Sequence, residues 1–271
     1  MILYSGWDVP APRLSSIDKR LATEGKLQYH LKMRRGDVGK YILLPGDRAR
    51  VPMMSSYLND AKEVGNNREY VAHSGFYKGI KVTVMSTGMG CPAAAIAVEE
   101  LANIGAKVLI RTGSTGALQK QIDVGDLIVA NGAVKNEGTS RMYEPTEFPA
   151  VPSFRVLSSL VGAAEALRKK LRFNYHVGIV SSDDAFYGET PEFIHRLTAL
   201  GALGLDMESS AMFVVSRARG LESGSIMSAS ENFARKSIVP EKVPDPLKQG
   251  WRNETQVALR AIETLEGRRR A

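Results

Sequence analysis

Cysteine is almost missing from this 271-residue chain: Cys91 stands alone, which excludes an internal disulfide framework and fits a reducing compartment. Aromatic residues make up 7% of the sequence and are not interleaved with its basic residues, as a surface that stacks on single-stranded nucleic acid would want. No apolar run approaches the roughly 18 residues that a membrane span needs. The opening from Met1 to Asp8 lacks the basic flank and apolar stretch of a secretory signal. The cytoplasm is therefore the expected compartment, with neither membrane nor nucleic acid as a partner. The single cysteine and four histidines show no zinc-ligand spacing, so no metal site is expected.

What remains is an ordinary globular composition, 44% hydrophobic and 24% charged, long enough to bury a substantial core. The net charge of +7 points to an acidic partner. Basic residues concentrate between Arg13 and Arg50 and in a tail of Arg268, Arg269 and Arg270. That distribution favours a solvated tail and a small-anion site over a nucleic-acid groove.

Residues 1–25, with Pro10 and Pro12 and no sustained period, read as an N-terminal extension, and residues 26–271 as one domain. Short apolar strands are expected at Tyr41–Leu44, Val108–Ile110, Leu127–Ala130, Val177–Val180, Leu203–Met207 and Ser225–Ser230. Glu69 to Ser86 reads as strands turning at Lys78-Gly79. Helices are expected at Arg48–Leu58, from Pro92 to about Gly105, and at Phe154–Leu171, Thr190–Leu200, Glu208–Arg219 and Leu247–Leu265. This alternation predicts a single-domain α/β fold, a mixed sheet flanked by helices in doubly wound layers.

Ligands of open α/β sheets bind beyond the carboxyl ends of the strands. Pro45 to Arg50 and Arg111 to Gly116 occupy two such ends, each combining glycine with arginine, and read as loops. Glycine admits backbone N–H groups to an anion, arginine adds charge-assisted donors, and Ser114 or Thr115 adds a hydroxyl. Two such loops facing one pocket would hold a free phosphate. Taken singly, Gly46 and Gly113 are plain turn glycines and Arg50 a helix-surface charge. Arg111, between three buried-strand residues and a glycine, is less naturally a surface charge.

Gly46-Asp47-Arg48-Ala49-Arg50-Val51, Asn67-Arg68-Glu69, Ser86-Thr87-Gly88-Met89-Gly90, Arg111 to Ala117, Glu147 to Val151, Phe186-Tyr187 and Met207-Glu208-Ser209 follow in one order. Together they resemble the nucleoside phosphorylase family, especially its uridine phosphorylase branch, from about Tyr29 to the C-terminal helix. The resemblance implies that Gly46, Arg50, Arg111 and Ser114 bind phosphate, and that Arg68 reaches the phosphate of a neighbouring subunit. It implies that Met207 and Glu208 hold the ribose, Glu208 accepting from the 2′ and 3′ hydroxyls, and that His30 serves a neighbour's 5′-hydroxyl. Phe186 would pack on the sugar or base, and Thr115 would lie near the base. Phosphate would be a co-substrate and no cofactor would be needed. A dimer-based homo-oligomer, a hexamer in the family, would complete each pocket.

The base is less legible. Uridine phosphorylases of the family follow the Phe-Tyr pair with a glutamine and an arginine, where this chain has Gly188-Glu189-Thr190-Pro191-Glu192. Purine phosphorylases carry a Ser-Asp pair after a late strand, where this chain has Ser230-Glu231-Asn232; Glu231 is thus a candidate proton donor to the base. Overall likeness favours uridine, with a purine nucleoside or 5′-methylthioadenosine as the alternative. Glu69 fits an intersubunit monovalent-cation site seen in the family, whereas Ala93 stands where the family places a serine. More distant rivals are a nucleosidase, which would not need Arg50, Arg68 and Arg111 together, and an NAD(P)-dependent oxidoreductase suggested by Gly88-Met89-Gly90-Cys91-Pro92-Ala93.

Overall fold

The computed structural model describes residues 26–235 and 242–270. The extension expected over residues 1–25 and the side chains of Arg268, Arg269 and Arg270 lie outside the described residues. Nine strands form one mixed sheet: β1 (Tyr41–Leu44), β2 (Asn59–Asn67), β3 (Tyr70–Tyr77), β4 (Ile80–Met85), β5 (Val108–Ala117), β6 (Leu127–Asn136), β7 (Tyr175–Asp183), β8 (Gly204–Asp206) and β9 (Glu222–Asn232). Among the described residues six α-helices cover it: α1 (Arg50–Ser55), α2 (Cys91–Asn103), α3 (Phe154–Leu171), α4 (Pro191–Ala199), α5 (Ser209–Ala218) and α6 (Asp245–Arg270).

Strand β1 explains the layering. It lies between β4 and β5, parallel to both, and all four of its residues are buried. Successive side chains point to opposite faces. Tyr41 and Leu43 join Val156 and Leu160 of α3 and Val257 and Ile262 of α6 in one core. Ile42 and Leu44 join Val98 and Leu101 of α2 and Met212 and Phe213 of α5 in the other. Burial on both faces is why the strand reads as a continuous apolar run.

Three expectations need correction. The sheet is not simply open: strand order runs β2-β3-β4-β1-β5-β8-β7-β6-β9, and β9 also pairs with β5, closing the last five strands on themselves. Strand β2 was not expected, because Asn59–Asn67 is polar, exposed and broken by register shifts against β3. Most important, Arg111 to Gly116 is not a turn. Strand β5 runs on to Ala117, in parallel register with β9 from Val108↔Glu222 to Ala117↔Asn232 and with one bulge at Thr115/Gly116.

Its glycines make room for neighbours. Residues i and i+2 share a strand face, so the Arg111 guanidinium folds back over Gly113, where a Cβ would come within 2.8 Å of its central carbon. A Cβ on Gly116 would overlap the Phe233 ring. Elsewhere boundaries move by a few residues. Helix α1 is only two turns, and Glu208 caps α5 from just outside it.

Candidate active site

The carboxyl ends of β1, β4, β5, β8 and β9 converge on a pocket of about 550 Å³. Of the residues expected to act, Gly46, Arg50, Arg111, Ser114, Thr115, Phe186, Met207, Glu208 and Glu231 all line it. His30 and Arg68 do not.

Arg111 rises from β5 into a pair of carboxylates, its Nε donating to Asp206 Oδ2 at 2.8 Å and its Nη2 meeting Glu208 Oε2 at 2.5 Å. All three side chains are nearly inaccessible to solvent. Burial alone would lower the guanidinium pKa, but Glu208 and Asp206 more than offset it and hold it above its ordinary value. Asp206 accepts from three further donors: Ser182 Oγ at 2.6 Å, the Ser209 N–H at 3.0 Å and Ser209 Oγ at 2.5 Å. So engaged, it holds the Arg111 guanidinium in place at the pocket wall.

Glu208, at the start of α5, accepts from the Gly90 N–H at 2.7 Å and the Met207 N–H at 3.2 Å. Gly90 can present that N–H because it sits at φ 93°, a conformation that favours glycine. Burial raises the Glu208 carboxyl above the usual range, Arg111 opposing and Asp206 adding.

Arg50 opens α1 and is as deeply buried as Arg111. Its Nη1 lies 3.3 Å from Glu254 Oε1, and its guanidinium stacks 5.0 Å from the centre of the Trp251 ring. Burial lowers its pKa against the pull of Glu254. Burial likewise pushes the Glu254 carboxyl up to about 8, although Arg50 and a Ser228 hydroxyl at 2.8 Å hold it back. Ser114 Oγ accepts from the Trp251 indole N–H at 2.9 Å, which leaves its own proton free to donate. Neither Trp251 nor Glu254 was singled out in the sequence. Both sit on α6 within a helical period that reads as core.

The opposite end of the pocket is carboxylic. Glu231 at the end of β9 is buried, and burial raises its pKa against a hydrogen bond from Ser230. Glu189 follows the short 3-10 turn Phe186–Gly188; burial, with Asp183 and Glu231 nearby, pushes it up to about 7. Phe186 is 43% exposed beside a fully exposed Tyr187. Thr115 reaches this wall, but its hydroxyl donates to Leu205 O at 2.7 Å. Arg48, also on the pocket wall, donates to Arg68 O and Asn66 Oδ1.

Arg68 is exposed at the β2–β3 turn, in a left-handed conformation at φ 54°. His30 pairs through Nδ1 with Glu100 at 2.7 Å, and its carbonyl accepts from Asn67 at 2.6 Å, so both residues expected to serve a neighbour share one surface region. Away from the pocket, Cys91, Glu137 and Asp184 bring a thiol and two carboxylates within 4.8 Å of one another. Burial holds that thiol far above its usual pKa, and Ser210, the Ser140 N–H and the Gly138 N–H donate to the carboxylates. A protonated thiol is a poor ligand. Among the described residues, no helix is long and apolar enough to cross a membrane.

Residues 40–264 match the family model of the phosphorylase superfamily. A uridine phosphorylase of Thermococcus kodakarensis is 42% identical over 79% of this chain and 80% of its own length. A guanosine phosphorylase of Halorubrum lacusprofundi is 38% identical over 88% of this chain and 99% of its own. The crystal structure of a uridine phosphorylase from Vibrio fischeri superposes with a TM-score of 0.80 at 35% identity, covering 87% of this chain and 96% of that one. The chain belongs to the phosphorylase superfamily, among the nucleoside phosphorylases.

Proposed function

We propose that this enzyme cleaves uridine with inorganic phosphate, reversibly, to uracil and ribose 1-phosphate. The observation that carries the phosphate half is the meeting of Arg50, Arg111 and a donor-ready Ser114 hydroxyl at one end of a pocket that also holds Glu208. Arg111 spends Nε and Nη2 on carboxylates, and its Nη1 hydrogens remain for an anion. The Gly46 N–H is taken as a further donor.

Glu208 accepts from the ribose hydroxyls and fixes the ring for in-line attack. Such orientation is worth on the order of 7–11 kcal/mol at best. As the base departs, positive charge grows on the ribose, and the phosphate held by the arginines attacks while stabilising that charge. Phe186 packs on the sugar or base, and Met207 on the ribose. Uridine is favoured by the Thermococcus kodakarensis and Vibrio fischeri relatives.

Guanosine is the second reading, supported by Glu231 and Glu189, whose raised pKa values suit proton donation to a leaving purine. The Halorubrum lacusprofundi relative points the same way. We further propose a cytoplasmic, cofactor-free enzyme that works as a dimer-based oligomer, a hexamer of three dimers. Arg68 and His30, adjacent but outside the pocket of their own chain, support that assembly. Sedimentation of an active monomer would remove it.

The test is base release from uridine, thymidine, guanosine, inosine and 5′-methylthioadenosine, with and without phosphate. Phosphate-dependent release led by uridine supports the proposal, and a lead for guanosine selects the second reading. Release independent of phosphate makes the enzyme a nucleosidase.

A further inference from the structure

Trp251 stands behind the arginine end of the pocket, yet it holds two of the groups assigned to phosphate. Its indole N–H donates to Ser114 Oγ at 2.9 Å, and its ring lies under the Arg50 guanidinium, 5.0 Å from centroid to carbon. Ser114 belongs to β5 and Arg50 to α1, which do not follow one another in the chain. One side chain of α6 therefore sets the spacing between donors supplied by two elements.

The approach of α6 is built for this. Gly250, just before Trp251, has no room for a side chain: a Cβ there would come within 2.8 Å of Ser228 Oγ and 2.9 Å of Gly125 O. The helix is thus seated directly on β9, and its next turn brings Glu254 to Ser228 at 2.8 Å and to Arg50 at 3.3 Å. Trp251 itself is half-buried and is not among the pocket-lining residues, so it does not touch what the pocket holds.

We propose that Trp251 is a positioning residue for the phosphate co-substrate, and that it acts by fixing the Ser114 hydroxyl as a donor and Arg50 as a planar cation beside it. A serine hydroxyl left to rotate can turn its lone pairs toward an anion as readily as its proton. Accepting the indole N–H narrows that freedom, because one lone pair is then fixed on the ring and the hydroxyl hydrogen is confined to the directions facing away from it. The aromatic face likewise restricts the plane of the guanidinium. This inference rests on the phosphate reading given above.

Trp251→Phe tests it, since phenylalanine retains a ring under Arg50 and loses the N–H. The Michaelis constant for phosphate should rise about tenfold, the size expected when one hydrogen bond to an anion-binding group is lost. The constant for the nucleoside should stay within about twofold. In a double-mutant cycle, Trp251→Phe added to Ser114→Ala should cost nothing beyond Ser114→Ala alone, because the indole acts through that hydroxyl. Additive losses, an unchanged phosphate constant, or nucleoside and phosphate constants rising together would each overturn the inference. Base release by the unaltered enzyme without phosphate would instead remove the phosphate reading itself, so the two failures are told apart.

Discussion

At the arginine end of the pocket, Arg50, Arg111 and Ser114 are each held by a partner outside their own element: Glu254 of α6, Asp206 with Glu208, and Trp251 of α6. At the carboxyl end, Glu189 and Phe186 come from a single 3-10 turn and its exit, and Phe186 rests on a fully exposed Tyr187. The first end is buried and cross-braced by strands and long helices. The second keeps buried Glu231 on β9, but its Phe186 and Glu189 wall is partly open and hangs on a short connection. Chemistry common to a family needs fixed donors, whereas choice of base is carried where single residues can change without disturbing the core.

The sharpest way to break this contrast is Arg111→Lys. Lysine keeps a cation between Asp206 and Glu208 but loses the fork that leaves donors for an anion. Phosphorolysis should fall about a thousandfold while circular dichroism stays unchanged. Near-normal rates would end the anion assignment. Arg111→Ala would strand two buried carboxylates at a cost of about 3–5 kcal/mol, so its fold is not expected to stay intact.

Glu208→Gln should follow, lowering kcat about a hundredfold as the ribose clamp weakens. Steady-state kinetics with kcat unchanged would remove that role. At the carboxyl end effects should be smaller and selective. Glu231→Gln should shift the ratio of kcat/KM for guanosine and uridine by about tenfold. With Glu189 at about 7, the pH profile between 6 and 8 should inflect for the unaltered enzyme and flatten in Glu189→Gln. A ratio and profile untouched by either change would show that the base is read elsewhere.

The smallest effect concerns stability. The Glu254 carboxyl is raised to about 8, so between about pH 5 and 8 the folded enzyme keeps a proton that the unfolded chain has given up. Stability therefore falls as pH rises through that window. Glu254→Gln should fall less, leaving its melting temperature about 5 °C closer to the acidic value at pH 8. Parallel curves for the two proteins would show that Glu254 does not titrate there.

The sequence discloses the arginine end because Arg111 directly follows the apolar run Val108-Leu109-Ile110 with Gly113 two residues on, and Arg50 follows Leu44-Pro45-Gly46 by a few residues. What it hides is the reason for those glycines. Gly113 resembles a turn residue, but it serves a side chain two positions back in an unbroken strand. Trp251 and Glu254 are hidden more deeply. Their partner Ser114 lies 137 positions from Trp251, and a helix packed on a sheet looks alike in sequence whether its inner face fills a core or steadies a site. Strand β2 escapes for the opposite cause: its pairing with β3 outweighs a polar composition of low strand propensity.

The closed run of strands also bears on how the enzyme comes into being. Strand β5 is bonded along its length to β9, and the Ser230 hydroxyl meets the Thr115 carbonyl 115 positions away. On a ribosome adding residues at about 5–20 per second, on the order of ten seconds separates the emergence of these two strands. Throughout that interval the apolar start of β5, Val108-Leu109-Ile110, has one side of its ladder unfilled and lacks the α6 surface that will cover it. Closing so long a loop is entropically slow. The apolar start of β5 thus stays uncovered until β9 and α6 arrive, and Arg50 gains Glu254 and Trp251 only at that last docking, whereas the Arg111 partners Asp206 and Glu208 precede it in the chain.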